Sequence, residues 1–338
     1  MNKDGTLGWG LIGASTIARE QMIPAIRAQD DSQVVAVMSS SPVRGRDYAA
    51  ELGIPRSHST VDALLADPGV DVVYISTTNE LHREQTIKAA AAGKHVLCEK
   101  PLALTLEDGR AMVDACRGAG VVMGTNHHLR NSMALRKVRD AIREGLVGQP
   151  FAARVTQAIY LRPHTQTWRI NKPSAGGGVV LDIGVHCADT LRFLLDDEPC
   201  AVVAMARSTG LASHGLEDLA MAVVEFEGGV IASLHMGHNT RHAETGVEIH
   251  GTEGSILARD ALTQKPLGGV ILRTADGERE LPYRYEPIYE RAVRTFNDAI
   301  WDGEGPMASG EDGLRSLAVA LAIRQAMESG HRVTISKD

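Results

Sequence analysis

The sequence predicts an α/β fold: an N-terminal doubly wound parallel sheet, then an α+β domain with a large, mostly antiparallel sheet. Three observations carry this. Over residues 7–124, short apolar runs alternate with helical patterns, as in a parallel sheet buried on both faces. After about residue 126, strand-length runs joined by hairpin-type turns take over. A chain of 338 residues also exceeds one comfortable core, so two domains are expected, 1–125 and 126–338.

In the first half, the runs 7–12, 34–39, 71–76, 95–98 and 121–124 have the length and apolar content of buried strands. Between them, 80–93 reads as a helix closing on Gly93. The segment 105–120 opens on a Thr105 cap and closes on Gly120. Pro24 interrupts the first crossover and should split it into two short helical pieces. In the second half, strands are expected at 151–161, 201–208, 219–226, 229–237, 245–251 and 269–274, with Glu227-Gly228-Gly229 and 275–278 as hairpin turns. A helix at about 182–195 interrupts them. Two helices, about 287–302 and 311–329, and a short strand close the chain.

A net charge of -7, with no long Lys/Arg run, argues against nucleic acid or an anionic membrane as the main partner and leaves a small molecule. Cys98, Cys116, Cys187 and Cys200 show no CxxC spacing, which suits a reducing cytosol. The opening MNKDGTLGWGLIG lacks a leader-like apolar stretch, and no run reaches the ~18 apolar residues of a membrane span, so a cytoplasmic protein is expected.

The first strand runs into Gly13-Ala14-Ser15-Thr16-Ile17-Ala18. Against the pattern G-x-G-x-x-G/A, Gly13 takes the tight turn, Ser15 replaces the second glycine, and Ala18 takes the third position. A pyrophosphate needs backbone N–H groups at a helix N-terminus with little side-chain bulk nearby, and Ser15 is small enough to allow it. The turn therefore predicts a Rossmann-type dinucleotide site. At the end of the second strand, an NAD enzyme usually carries Asp or Glu for the ribose hydroxyls. Here stand Ser39, Ser40 and Ser41, with Arg44 shortly after. A guanidinium beside small hydroxyls favours a 2′-phosphate, so NADP(H) is the expected cofactor.

Hydride delivery to a carbonyl creates an alkoxide, which needs a nearby cation and a proton donor. Lys100, in Glu99-Lys100-Pro101 after a strand, falls at the carboxyl edge of the sheet, and the X-Pro bond can be cis. In Gly176-Gly177-Gly178 through Asp189, helical spacing puts Asp182 and His186 on one face, with Asp189 able to join them. A carboxylate beside an imidazole orients the ring and suits a general acid.

Gly13 to Ala18, Thr77-Thr78-Asn79 with His82, Glu99-Lys100-Pro101, Trp168-Arg169 and the triglycine-to-His186 segment together resemble the glucose–fructose oxidoreductase and inositol dehydrogenase (Gfo/Idh/MocA) family. The resemblance spans the whole chain. It implies Lys100, Asp182 and His186 as the catalytic set. It further implies that Ala14, Ser15, Thr16 and Ile17, then Ser39, Ser40 and Arg44, line the cofactor. Thr77, Thr78, Asn79 and His82 would join them, with Glu99, Asn126, Trp168, Arg169 and Tyr289. More narrowly, GLIGASTIAR, STTNELHREQT, GKHVLCEKPLA and GTNHHLRN resemble its bacterial NADPH-dependent reductases. For these the implied reaction is reduction of a cyclic polyhydroxylated ketone, 1,5-anhydro-D-fructose, to 1,5-anhydro-D-mannitol. Ser15 departs from the wider family's glycine but matches this group.

Two readings compete: an NAD(P)-dependent inositol or sugar dehydrogenase, and a non-catalytic dinucleotide-binding sugar sensor. Ser39 and Arg44 speak against an NAD enzyme, and Lys100, Asp182 and His186 together speak against a sensor. His235, His238, His242 and His250 invite a metal reading. Their spacing matches no zinc pattern, and no metal site is expected. One of His127 and His128 is expected to contact substrate.

Overall fold

The computed structural model describes residues 5–336. Met1–Asp4, the first four residues of the opening stretch expected not to be a leader, lie outside the described residues. The chain divides into two compact units. One comprises the stretch ending at His128 together with Tyr289–Leu314; the other comprises Leu129–Ile288 and the segment beginning at Arg315.

The first unit carries six parallel strands: β1 (Leu7–Ile12), β2 (Ser32–Met38), β3 (Arg56–His58), β4 (Val72–Ile75), β5 (His95–Cys98) and β6 (Met123–Thr125), in the order β3-β2-β1-β4-β5-β6. β1 and β4, at the centre, are buried along their whole length. The helix Leu106–Ala119 is capped by Thr105 Oγ1, which accepts from Asp108 N, and ends on a left-handed Gly120. Pro24 divides the first crossover as expected, a π-type turn at Ala18–Met22 giving way to a short helix at Ile23–Arg27. β3 is absent from the sequence reading because Arg56-Ser57-His58 at the sheet edge is polar and short.

The second unit holds a nine-stranded sheet: β7 (Pro150–Ala158), β8 (Pro199–Arg207), β9 (Leu219–Phe226), β10 (Ile231–Gly237), β11 (Gly246–Gly251), β12 (Gly254–Arg259), β13 (Val270–Thr274), β14 (Gly277–Glu280) and β15 (Val333–Thr334). Their order is β14-β13-β12-β11-β7-β10-β9-β8-β15. Every pair is antiparallel except β7 with β10. The expected hairpin turns join β9 to β10 and β13 to β14. Several elements escaped the sequence reading, among them β14, part of which was read as the turn 275–278, the short helix Trp168–Asn171, β12 and the helix Met133–Arg143. β12 follows β11 across a turn too brief to separate the two runs. The helix Met133–Arg143, capped by Ser132, buries Ala134, Leu135, Val138 and Ala141 at helical spacing, a signal present in the sequence.

The expected single boundary at 125 does not describe this division, because Tyr289–Leu314 packs with the first unit. The Phe296 ring lies 5.8 Å from that of Trp9. Asn297 Nδ2 donates to Asp31 Oδ1 at 2.9 Å, and Trp301 Nε1 donates to Asp31 Oδ2 at 3.0 Å. The helix Ile288–Asp302 thus covers β1 and the start of β2, a long-range partnership that no linear pattern reveals.

Candidate active site

The expected nucleotide residues of the first unit fall just beyond the carboxyl ends of β1, β2, β4, β5 and β6, except Tyr289, which lies on the helix Ile288–Asp302. Gly13 has φ +111, and a Cβ there would press on the Ser76 carbonyl at 3.2 Å, so the turn needs glycine. Ser15 does more than stand in for a glycine. Its Oγ accepts from Ala18 N at 3.1 Å, capping the first helical turn, and lies 2.8 Å from Ser76 Oγ. The turn is also held from outside: Tyr48 Oη donates to Ser15 O at 2.9 Å. Burial raises the Tyr48 pKa to about 12, so the phenol keeps that proton.

Ser39 is buried at 1% exposure and does not present its hydroxyl outward as a phosphate contact would. The Oγ accepts from Ser41 N at 3.3 Å and from Arg44 Nε at 3.1 Å. Ser40 and Arg44 are exposed, and Ser41 caps the helix Pro42–Leu52 by accepting from Arg44 N. Arg44 is thereby held at a helix N-terminus, where the backbone dipole adds to its charge.

At β5, Glu99 Oε1 accepts from Tyr74 Oη at 2.5 Å and Asn126 Nδ2 at 2.7 Å. Glu99 Oε2 accepts from Lys100 N at 3.3 Å, and the Lys100–Pro101 peptide is cis. Burial, reinforced by the Glu99 charge, holds the Tyr74 pKa well above its usual value. His82 corrects an expectation: with 0% exposure it cannot line a cofactor. Its Nδ1 lies 3.1 Å from Pro101 O and 3.3 Å from Leu102 O, tying the 77–82 turn to the segment after Lys100. Burial lowers its pKa, against the opposing pull of these carbonyls. Asn79 is also buried, at 4%. Tyr289, at 4%, stacks on His128 with ring centroids 4.9 Å apart.

In the second unit the triglycine run brings two segments together. A Cβ on Gly177 would sit 2.8 Å from Trp168 O and 3.0 Å from Arg169 O, and Gly178 N donates to Arg169 O at 2.8 Å. A Cβ on Gly178 would meet the Glu217 carboxylate. Only glycines let the Trp168-Arg169 backbone lie this close to the run leading into Asp182. Glu217 in turn accepts from Val180 N at 3.1 Å, capping the segment, and burial raises its pKa.

From there the chain takes a π-type turn at Val180–Gly184 before the helix Val185–Leu195, so ordinary α-helical spacing does not apply through Asp182. The Asp182 Oδ2 atom lies 3.0 Å from His238 Nε2 and 3.5 Å from Arg169 Nε, and the Arg169 guanidinium lies over the Trp168 ring at 4.6 Å. Asp189 does not join this group. Its Oδ1 and Oδ2 accept from Arg130 Nε at 3.1 and 2.9 Å, and Oδ1 from Arg130 Nη2 at 2.7 Å and Ser316 Oγ at 3.2 Å, a buried ion pair serving the fold. Asp182 and His186 are nearly buried, at 7% and 5%. No sequence signal marked His238 as a partner of Asp182, since 56 residues separate them and it stood among four histidines whose spacing matched no zinc pattern. Tyr48 and Ser76 were likewise invisible as supports of Ser15.

Residues 7–127 match the oxidoreductase family with an NAD-binding Rossmann fold, and residues 135–257 match the GFO/IDH/MocA C-terminal domain. The chain belongs to the GFO/IDH/MocA oxidoreductase family. Within that family it is 57% identical over 328 residues to a 1,5-anhydro-D-fructose reductase of Ensifer adhaerens, covering 97% of this chain and 98% of the relative. It is 28% identical to a myo-inositol 2-dehydrogenase of Thermotoga maritima, covering 98% of each. Among solved structures it is similar to the aldose-aldose oxidoreductase of Caulobacter crescentus (TM-score 0.90, 27% identity, covering 98% of this chain and 100% of that one). It is also similar to a levoglucosan dehydrogenase in complex with NADH and levoglucosan (TM-score 0.88, 26% identity, the same coverage). This GFO/IDH/MocA member is thus an NAD(P)-binding oxidoreductase acting on sugar-like alcohol or carbonyl groups. Among the described residues no helix is long and apolar enough to cross a membrane.

Proposed function

We propose that the enzyme reduces 1,5-anhydro-D-fructose at C2 to 1,5-anhydro-D-mannitol with NADPH. The observation that carries the reading is the donor-ringed carboxylate Asp182, four residues before His186, in a chain 57% identical to a reductase of that name.

The residues fit a dinucleotide. Gly13, Ser15 and Ala18 leave a helix N-terminus clear of bulk, and Ser39 holds Arg44 at the capped start of the next helix. Arg44 would take the 2′-phosphate, with Ser40 beside it. NADPH, when bound, supplies the hydride.

The protein's residues do the rest. Lys100 places an ammonium at the carbonyl oxygen, favouring negative charge there as it develops. His186 delivers a proton to that oxygen. Asp182 accepts a substrate hydroxyl or steadies the imidazole of His186, with the Arg169 guanidinium beside its carboxylate. A set this polar suits a polyol, because an analogue lacking hydroxyls leaves buried partners unpaired.

The test is kcat/KM with NADPH for 1,5-anhydro-D-fructose, fructose, an inosose and a short aliphatic aldehyde. The anhydro sugar should lead. A clear win for the inosose would move the enzyme among inositol dehydrogenases, and a win for the aldehyde would remove the polyol reading.

A further inference from the structure

His238 has no role in the reaction as drawn above, yet its position is unusual for an imidazole. It follows the last residue of β10 and is 0% exposed. Its backbone is pinned on both sides, His238 N donating to Asp218 O at 2.8 Å and His238 O accepting from Leu161 N at 2.8 Å. The ring itself is enclosed, with no exposed surface. One nitrogen, Nε2, lies 3.0 Å from Asp182 Oδ2, and the other, Nδ1, is buried with no partner among the described residues.

These two facts decide the tautomer. A proton on Nδ1 would bury an N–H with no acceptor, the costlier way to leave a polar atom unpaired. A proton on Nε2 makes a good bond to a carboxylate. The surroundings favour a proton on Nε2 and leave Nδ1 without an acceptor.

We infer that His238 is a positioning residue for Asp182. By donating Nε2–H to Oδ2, the oxygen that Arg169 Nε also approaches, it holds the carboxylate against rotation. Arg169 alone would not do this. Its side chain is 29% exposed and its Nε stands at 3.5 Å, longer than a firm hydrogen bond, whereas His238 is rigid and dry. The inference rests on the placement of Asp182 in the catalytic set.

The test is a cycle of His238→Leu, His238→Gln, Asp182→Ala and Asp182→Ala/His238→Leu, with steady-state kinetics on 1,5-anhydro-D-fructose, NADPH binding and thermal midpoints. His238→Leu removes the donor but fills the space, and should lower kcat/KM by ~10- to 100-fold, as loss of an outer-shell partner does elsewhere. NADPH affinity should be unchanged. His238→Gln keeps an N–H near the Nε2 position and should recover most of that loss. In the Asp182→Ala background, His238→Leu should cost nothing more, because its effect runs through Asp182. Selective ¹⁵N-histidine labelling of the cofactor-free protein, assigned by difference with His238→Gln, should show Nε2 protonated and Nδ1 bare. Additive losses in the double variant, equal damage from Leu and Gln, or a protonated Nδ1 would overturn the inference alone. An Asp182→Ala enzyme with normal turnover would overturn the site assignment and this inference with it.

Discussion

Replacing Arg44 with alanine probes the proposed cofactor preference most directly. Arg44 Nε is engaged by Ser39 Oγ at 3.1 Å, and its two terminal nitrogens bond to no other described residue, so they are available to a 2′-phosphate. Hydrogen bonds to charged groups contribute ~1.5–3 kcal/mol, and the exposure of Arg44 screens the value toward the lower end, which corresponds to a ~10- to 30-fold rise in the NADPH Kd. NADH lacks the phosphate and should bind as before. Ser39→Ala keeps the cation but removes its tether, and should weaken NADPH by a smaller ~2- to 10-fold, the worth of one neutral hydrogen bond. Screening adds a second signature: the NADPH Kd of the unaltered enzyme should rise with salt more steeply than that of Arg44→Ala. Nicotinamide fluorescence titrations with both cofactors, at low and high salt, measure all of this. An Arg44→Ala protein with the original NADPH-to-NADH affinity ratio would refute the placement of the phosphate.

His186→Ala should lower kcat by ~10²- to 10⁴-fold, the usual contribution of a general acid, with NADPH binding intact; near-normal turnover would remove His186 from the reaction. Lys100→Met should damage both turnover and KM for the ketone, and a change confined to NADPH affinity would reassign the lysine to the cofactor. Tyr48→Phe deletes one hydrogen bond to Ser15 O and should cost ~0.5–1.5 kcal/mol of stability, read as a lower thermal midpoint that saturating NADPH partly restores. Arg130→Met takes the bidentate guanidinium from the buried Asp189 carboxylate and leaves Arg192 Nη1 at 3.8 Å as the nearer remaining cation; it should cost up to ~3–5 kcal/mol in denaturant unfolding, and an unchanged midpoint would show that Arg192 and Ser316 suffice.

Much of the first unit was legible because its code is local. β1, β4 and β5 are continuous apolar runs because both faces of a parallel sheet are buried. Thr105 and Gly120 mark the ends of their helix because orphan N–H and C=O groups select those residue types. Arg56-Ser57-His58 escaped notice because an edge strand of three polar residues carries neither periodicity nor burial. The helix Met133–Arg143 was legible in principle, its buried residues recurring at helical spacing behind a serine cap.

The catalytic candidates divide along the same line. Lys100, Asp182 and His186 stand in short motifs whose residue types suggest a chemistry, so the sequence alone could nominate them as candidates. Their surroundings were not determined in that way. Ser39 reads as a phosphate ligand in the chain and is a buried support for Arg44 in the fold. His82 reads as a cofactor contact and turns inward to the carbonyls after Lys100. Asp189 reads as a third member beside Asp182 and is claimed by Arg130 and Ser316. His238 reads as one of four scattered histidines and meets Asp182 across 56 residues. Motifs specify which functional groups are present because chemistry demands particular side chains at short spacing. Hydrogen-bond partners are decided only when distant segments pack, because a buried polar group bonds whichever complementary atom the tertiary structure brings within about 3 Å.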